Sequence, residues 1–251
     1  MKDHLTEKEE TAVEKITSAC NRADGTGYTA PTDADEYLLS CHGGRPVAFL
    51  AIYAMGDTVG GRPVEELMLF TDPSFRGKHR ASGLLERYRK SRKEKQQPPP
   101  VLRFSSYPSA AADSFLSRLQ AQHDHDELLM TKELVPAGSG QETGGKNTLP
   151  GKHARRRKLS EQEFTMRNSY SECSVRTYGT AGYIYAVRTD ESHLRCGSAQ
   201  KLLQDVLTRL AGLGADHALL EVSSANIPAV CLYRKLGFRV TQTLRLHILP
   251  G

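Results

Sequence analysis

The stretch LLEVSSANIPAVCLYRKLGF, residues 219–238, decides the fold of this chain. Apolar residues at its start, with Ala218 before them, predict a strand over 218–222 that runs into a turn of small polar residues. Pro228 stands where a helix can start and Gly237 just past where it would end, which predicts a helix over 228–236. A final strand is expected over 239–249, so the order of elements is typical of an α/β protein.

Upstream of this stretch, the sequence predicts strands over 172–177 and 182–188 and then a loop that opens a strongly amphipathic helix. Gly197, in the loop, lets backbone N–H groups approach a pyrophosphate, and the helix N-terminus adds the positive end of its dipole. A glycine that merely starts a helix is the simpler alternative. The apolar residues of the helix are Leu202, Leu203, Val206, Leu207 and Leu210.

Together these segments resemble the GNAT superfamily of acyl-CoA N-acyltransferases over roughly residues 183–238. The match rests on Glu221, Asn226, the pair Leu232-Tyr233 and the pair Gly237-Phe238 at the family's spacing. Leu194 departs from the family pattern, in which this position is usually Gln or Arg. The resemblance implies an enzyme that takes an acetyl group from acetyl-CoA, its cosubstrate, and needs no metal.

The resemblance also implies which residues bind the cosubstrate. Asn226 would bond the pantetheine arm or organise the loop, and a backbone N–H near Val187 would stabilise the oxyanion of the transition state. The pyrophosphate would lie on the loop residues Arg195, Cys196, Gly197, Ser198 and Ala199.

Acetylation of an amine needs a base and an acid, because the amine must lose a proton and the departing thiolate must gain one. Tyr233 stands where the family's tyrosine protonates the sulfur of coenzyme A. Glu221, twelve positions earlier, is similar to the base of the ribosomal-protein alanine N-acetyltransferases, which acts through water. Two plainer alternatives remain, a solvent-facing carboxylate at Glu221 and a packing role for Tyr233.

The N-terminal half repeats the same order of elements after a helix that begins with the capping box Thr6-x-x-Glu9. A constant offset of 118 residues pairs Leu84 with Leu202 and Ala81 with Ala199. With this offset the functional positions are lost, although an insertion near residues 96–100 allows each pairing to slip by one or two. The pairs are Gly197 with His79, Glu221 with Arg103, Asn226 with Pro108 and Tyr233 with Phe115.

We therefore expect an α/β fold with a mixed twisted sheet flanked by helices, in which two GNAT-like halves pack together. The expected domains are a degenerate copy over 1–135, a flexible basic linker over 136–158 and a catalytic copy over 159–251. The catalytic copy is expected to lack the family's early strand and helices. Only the C-terminal copy should be active, with the first copy supporting it and shaping the acceptor site.

Composition and charge exclude several other classes of protein. The longest apolar stretch, 47–55, is too short to cross a bilayer, and the first ten residues lack the apolar core of a signal peptide. Five scattered cysteines, an odd number, suggest a reducing compartment rather than a disulfide framework. His123-Asp124-His125 is interpreted as a solvated turn before a strand, not as a metal site.

The charge pattern argues against a nucleic-acid-binding protein. The formal net charge is +5, and residues 136–158 hold six basic residues and one acidic residue, which equals the whole excess. We expect a cytoplasmic protein, with nuclear import through the basic segment as the alternative. Both a homodimer and a monomer with pseudo-dimeric halves fit the sequence.

The sequence thus predicts an acetyl-CoA-dependent N-acetyltransferase that acts on a primary amine by direct attack. The acceptor is not specified, since small molecules and peptide or protein amines are all acylated by this fold. The alternative is a non-catalytic GNAT-fold protein that binds acyl-CoA or serves as a scaffold.

Overall fold

The computed structural model describes residues 1–94, 99–135 and 159–249. The chain folds into two compact units, one formed by Met1–Asp126 with Leu244–Gly251 and the other by Glu127–Thr243. We call them the N-terminal unit and the C-terminal unit. The predicted basic linker 136–158 lies outside the described residues, so its expected flexibility stays a prediction.

The N-terminal unit is a mixed sheet with helices on both faces. Its strand order is β1-β2-β3-β4-β10, with β3 and β4 parallel and the other pairs antiparallel. The elements are α1 (Glu7–Asp24), β1 (Glu36–His42), β2 (Arg45–Val59), β3 (Arg62–Thr71), α2 (Arg80–Glu94), β4 (Val101–Ser106), α3 (Ala110–Arg118), the start of β5 (Gln122–Glu133) and the end of β10 (Arg239–Ile248).

Strand β2 shows why both faces of this sheet are covered. Phe49 and Ala51 pack with α1 in one apolar core, while Leu50 and Ile52 pack with α2 in another. Residues that alternate along a strand point to opposite faces, so this central strand is apolar at every position in the middle of its length. The capping box at the start of α1 is present, with Glu9 accepting from the backbone N–H of Thr6 at 3.0 Å.

The C-terminal unit contains the remaining elements. Its strand order is β10-β5-β9-β8-β7-β6, with β8 and β9 parallel, and one apolar core lies under α4 and α5. The elements are β6 (Gln162–Arg167), β7 (Ser171–Tyr178), β8 (Ala181–Thr189), α4 (Ser198–Leu213), β9 (His217–Ser223) and α5 (Ile227–Lys235), with the end of β5 and the start of β10.

One expectation about chain organisation needs correction. The C-terminal unit does contain an early strand, because β6 pairs antiparallel with β7. Its sequence signal is weak, since an edge strand buries little and only Phe164 and Met166 pack on the core. Strands β5 and β10 each pass from one compact unit to the other, and the predicted domain limits stay a prediction.

The internal repeat is confirmed at the level of secondary structure. Helix α2 begins at Arg80 and α4 at Ser198, an interval of 118 residues, and each follows a short 3-10 turn at the same interval. After the segment near residue 100 the interval becomes 117, because the nine-residue helices α3 and α5 begin at Ala110 and Ile227. A slip of one residue agrees with the insertion expected near residues 96–100.

Among the helices within the described ranges, none combines the length and the apolar character needed to cross a bilayer.

Candidate active site of the C-terminal unit

A gap opens between the parallel strands β8 and β9 of the C-terminal unit. Their pairing runs from Ala181↔His217 to Ile184↔Leu220 and then ends. Just beyond that point Ala186 has φ of +49°, and the pairing of β8 with β7 shifts register, so β8 carries a β-bulge there. The strands part, and a cavity of about 320 Å³ lies in the gap.

Val187 lies next to the bulge and lines this cavity. A bulge leaves a residue of its strand out of the regular ladder, so a backbone N–H in this segment is available to a ligand. The position predicted for oxyanion stabilisation is therefore at the gap. The bulge itself has no sequence signal, because the residue with positive φ is an alanine rather than a glycine.

Tyr233 enters the cavity from the helix side of the sheet. It lies on α5, is only 6% exposed, and packs edge-on against Phe238 with the ring centroids 6.1 Å apart. Its hydroxyl forms no hydrogen bond with any residue of the described ranges, and burial raises the pKa of this phenol above its ordinary value. A phenol in this state keeps its proton at neutral pH and has it free to donate.

Glu221 reaches the same cavity from the opposite face. Its neighbours Leu220 and Val222 are buried in the core beneath α4 and α5, so alternation along β9 turns the exposed Glu221 side chain away from the helices. Burial and the adjacent Glu221 carboxylate raise the pKa of Tyr183 on β8. The predicted acid and base thus flank one gap from the two faces of the sheet.

The predicted pyrophosphate loop is shaped to expose backbone N–H groups. Arg195 and Gly197 have φ of +62° and +80°, and Gly197 is the N-cap of α4 without a side chain that caps the helix. A Cβ at Gly197 would have no atom within 4 Å, which shows open space at the helix start. The first N–H groups of a 16-residue helix therefore face outward, an arrangement that suits a phosphate.

The structure separates the loop from the cavity residues. Arg195, Cys196, Gly197, Ser198 and Ala199 do not line the cavity, whereas Val187, Glu221, Asn226 and Tyr233 do. Leu194 is 56% exposed and Cys196 is exposed, so neither packs on the core. The loop and the gap therefore form two parts of a site that suits an elongated ligand.

Asn226 has a structural role in addition to its place at the cavity. It is the N-cap of α5, and its side-chain oxygen accepts from the backbone N–H of Ala229 at 3.3 Å. This cap fixes where α5 begins and hence where Tyr233 points. The predicted contact with a pantetheine arm stays a prediction.

A polar cluster that supports the loop was missed by sequence reasoning. Asn168 accepts from the Ser198 hydroxyl at 2.8 Å and donates through its amide to the Ser198 carbonyl at 2.9 Å. The Ser171 hydroxyl donates to the Ser198 hydroxyl at 2.8 Å. The cluster ties the start of α4 to the β6–β7 turn. Nothing in a turn of small polar residues indicates such a long-range partner.

One remaining prediction concerns the histidines of the segment 123–125 and metal binding. His123 and His125 lie within β5 rather than in a turn, because this strand begins at Gln122, and they pair with Asp126 and Asp124. Within the part of the chain that the structure describes, no group of three or more His, Cys, Asp or Glu side chains is arranged to hold a metal ion.

The pairing of the two copies needs correction by one residue in the last helix. Ser109 caps α3 by accepting from Ala112 N–H, as Asn226 caps α5, so the counterpart of Asn226 is Ser109 rather than Pro108. The counterpart of Tyr233 is then Leu116 rather than Phe115. The conclusion drawn from the pairing is unaffected, since neither side chain can donate a proton.

Sequence comparisons find two similarities, one to a family model and one to a curated protein. Residues 167–246 match the family model described as FR47-like protein. An N-alpha-acetyltransferase from Sulfurisphaera tokodaii is 32% identical over 71 residues, which are 28% of this chain and 42% of that protein. The matched segment thus spans less than half of the relative.

Structural comparisons extend over both units. A GCN5-related N-acetyltransferase from Sphaerobacter thermophilus aligns with a TM-score of 0.66 and 17% identity, covering 96% of this chain and 93% of that one. A tandem GNAT protein from the clavulanic acid biosynthesis pathway aligns with a TM-score of 0.57 and 12% identity, covering 98% and 97%. At such low identity the likeness shows the fold.

The chain is therefore a protein of the GNAT fold with two GNAT-like copies, as the sequence predicts. The FR47-like match falls on the C-terminal copy of this fold.

Proposed function

We propose that the protein is an acetyl-CoA-dependent N-acetyltransferase, with its active site in the C-terminal unit and a primary amine as acceptor. The observation that carries this proposal is the gap between β8 and β9, which Tyr233 and Glu221 flank from opposite faces. An acid and a base on opposite sides of one opening suit a direct transfer, in which the two substrates meet within the sheet.

The amine approaches from the face that carries Glu221. An amine of ordinary pKa is protonated at neutral pH and must lose a proton before it can attack. The carboxylate attracts the cationic amine and takes this proton, directly or through a water molecule. Tyr183 and Tyr185 stack beside it with ring centroids 5.8 Å apart and give this face an aromatic wall.

The thioester approaches from the helix face. The start of α4 receives the pyrophosphate, and the backbone N–H near Val187 stabilises the oxyanion that forms when the amine attacks the thioester carbon. As the carbon–sulfur bond breaks, Tyr233 gives its proton to the departing thiolate. No covalent link to the enzyme is required, so both substrates must be bound together.

A screen for products tests this proposal and identifies the acceptor. The protein is incubated with acetyl-CoA and a mixed library of small amines, aminoglycosides and peptides with free N-termini or lysines. Released coenzyme A is measured, and acetylated products are found by mass spectrometry. We expect release that depends on an amine and products with one added acetyl group. Binding of acetyl-CoA without any product would favour the non-catalytic acyl-CoA-binding alternative.

A further inference from the structure

A strand from the N-terminal half of the sequence forms part of the proposed active site. Most of β5, from Glu127 onward, belongs to the C-terminal unit and pairs antiparallel with β9. Glu127 lies opposite Ser223, at the end of β9, and both residues line the cavity between β8 and β9. The gap that Tyr233 and Glu221 flank therefore has a second carboxylate on its lining, which sequence reasoning did not include.

The side chains of Glu127 and Glu221 lie on the same face of the sheet. Leu128 on β5 is paired with Val222 on β9, and both pack in the core beneath α4 and α5. Side chains alternate along a strand, so Glu127 and Glu221 point to the opposite face. Leu129 is directly opposite Glu221, which makes Glu127 its diagonal neighbour, with the two Cα atoms about 7 to 8 Å apart. Two carboxylates at this separation can contact two cationic groups of one ligand.

An aromatic surface borders the two carboxylates. Tyr185 lines the cavity, and its ring stacks beside that of Tyr183. The Tyr185 hydroxyl donates to the Glu163 carboxylate, which also accepts two hydrogen bonds from Arg176 at 3.1 and 2.7 Å. These contacts orient the Tyr185 ring and pair the charge of Arg176 with that of Glu163. Because aromatic rings attract ammonium groups, this face of the sheet suits a cationic ligand.

A hydroxyl without a partner indicates that the same cavity takes a ligand. Tyr233 is 6% exposed, and its hydroxyl forms no hydrogen bond with any group of the described residues. Polar groups of buried side chains are usually hydrogen-bonded, because an unsatisfied one costs free energy that a bound ligand can recover. The cavity thus presents an unsatisfied hydroxyl on its helix side and two carboxylates on its other side.

The corresponding place in the N-terminal unit carries the opposite charge. A cavity of about 520 Å³ lies where β3 and β4 part, and β4 ends at Ser106, 117 residues before Ser223 at the end of β9. Ser106 is paired with Arg245 on β10, just as Ser223 is paired with Glu127 on β5. The shared fold accepts either charge at this place, so the carboxylate is a feature of the C-terminal gap and not a requirement of the sheet.

We propose that Glu127 binds the acceptor, and that the preferred acceptor is a diamine, with a second cationic group besides the amine that is acetylated. The reactive amine lies in the gap, between the Glu221 carboxylate and the Tyr185 ring, and the second ammonium group lies at Glu127. Glu127 is thus a specificity-determining residue that the N-terminal half of the sequence supplies to the active site. This inference rests on the proposed function, since it assigns the class of acceptor.

Calorimetry with two amines tests this recognition without turnover. 1,4-Diaminobutane has two ammonium groups, and butylamine has the same carbon chain with one. Each is titrated into the full chain in the presence of coenzyme A, so that no acetyl group is available. We expect the wild type to bind the diamine at least about tenfold more tightly than butylamine, and Glu127→Gln to bind the two about equally. Equal binding of both amines by the wild type, or no binding of either, would overturn the proposal.

Kinetics with the same two amines separates this inference from the proposed function. With acetyl-CoA, kcat/KM of the wild type should be at least about tenfold higher for the diamine. Glu127→Gln should lower the value for the diamine to nearly that for butylamine, mainly through KM, and leave the value for butylamine within about twofold. An equal fall for both amines would make Glu127 merely structural.

The two experiments fail in different ways. Selective binding of the diamine without any transfer would contradict the proposed function and leave the role of Glu127 in binding standing. Transfer to both amines with equal kcat/KM in the wild type would overturn this inference alone, because the enzyme would then be active without a preference for a second cation.

Two other substitutions on β5 serve as matched controls. Glu127→Asp keeps the charge and should retain a preference of at least about threefold for the diamine. Glu133 lies farther along the same face of β5, outside the cavity lining, so Glu133→Gln removes the same charge from the same strand. It should leave the preference unchanged. A loss of preference in Glu133→Gln as large as that in Glu127→Gln would show a general effect of net charge and would contradict the proposal.

Discussion

The two loops that precede α2 and α4 share a backbone conformation and differ in their side chains. In the N-terminal unit the loop follows a 3-10 turn at Pro73–Phe75, contains Gly77 and His79, and leads into α2. In the C-terminal unit the loop follows a 3-10 turn at Glu191–His193, contains Arg195 and Gly197, and leads into α4. Positive φ falls at the same two places in each loop, once on glycine and once on a larger residue. Both loops therefore have the same backbone conformation, although the glycine stands at the first of the two positions in one loop and at the second in the other.

The chemistry at the two gaps differs far more than the backbone. Tyr233 and Glu221 flank the gap in the C-terminal unit, whereas the counterpart of Tyr233 is the buried Leu116. The larger of these two cavities belongs to the unit that lacks the counterparts of Tyr233 and Glu221. Because the shared fold does not determine chemistry, each unit must be judged by its side chains.

The largest expected effect comes from removing the proton donor of the C-terminal unit. Tyr233→Phe should lower kcat by about 10-fold to 1000-fold, because it removes a general acid, with little change in the KM for acetyl-CoA. Steady-state kinetics with the acceptor identified by the product screen measures both constants. Full activity in this variant would end the assignment of Tyr233 as the acid.

Two further variants place this effect at the gap. Tyr170→Phe removes an exposed phenol that stacks on His193 outside the cavity, and its kcat should match that of the wild type. Phe115→Tyr adds a phenol to the gap of the N-terminal unit, and it should not restore turnover to Tyr233→Phe. Recovery of activity in that double variant would show that the added phenol makes the N-terminal unit catalytic.

Removing the base should have the next largest effect. Glu221→Gln keeps the shape of the side chain but cannot accept a proton, so kcat/KM for the amine should fall by about 10-fold to 100-fold near neutral pH. Glu172→Gln on β7 changes a partly exposed carboxylate outside the cavity in the same way, and it should leave kcat/KM unchanged.

A smaller effect is expected on cosubstrate binding in the C-terminal loop. Gly197→Glu should raise the KM for acetyl-CoA about tenfold, because the carboxylate opposes the pyrophosphate at the start of α4. Gly214 ends the same helix with φ of +91° and open space around it, so Gly214→Glu introduces the same charge and similar strain. If both substitutions raise this KM equally, strain rather than ligand repulsion explains the effect.

Much of the fold could be predicted because its signals are local. The capping box at Thr6 and the helix limits at Pro228 and Gly237 each depend on a few adjacent residues. The motif that ends in Gly237-Phe238 then indicated the superfamily. In the C-terminal unit the cavity residues Glu221, Asn226 and Tyr233 were also predicted, since they belong to that motif.

Other features could not be predicted because they depend on partners far away in the sequence. The passage of β5 and β10 from one unit to the other is a matter of strand pairing, which local periodicity does not specify. Asn168 reaches Ser198 across 30 residues. The bulge at Ala186 and the cavity of the N-terminal unit arise where strands part, a tertiary event that no local pattern marks.

The smallest expected effect concerns the stability of the protein in alkaline solution, to which the buried phenol of Tyr28 in the N-terminal unit contributes. This residue lines the cavity of the N-terminal unit, and burial raises its pKa to about 12. The unfolded chain loses the proton near the ordinary value of about 10, so the folded state holds more protons between pH 10 and 12. The stabilisation from the neutral phenol is therefore complete below pH 10 and is lost as the pH rises toward 12.

Tyr28→Phe tests the direction of this change in stability with pH and its origin in the buried phenol. The variant should be about 1 kcal/mol less stable at pH 8, because the Tyr28 hydroxyl accepts from the backbone N–H of Tyr107 at 2.6 Å. Its stability should fall less steeply than that of the wild type between pH 10 and 11, since one titrating group is gone. Urea unfolding at pH 8, 10 and 11 measures both changes.

Tyr233→Phe should also flatten the alkaline loss of stability, because burial raises the pKa of that phenol as well. A steeper alkaline loss in Tyr28→Phe would mean that the Tyr28 phenol ionises more readily in the folded state, contrary to its burial.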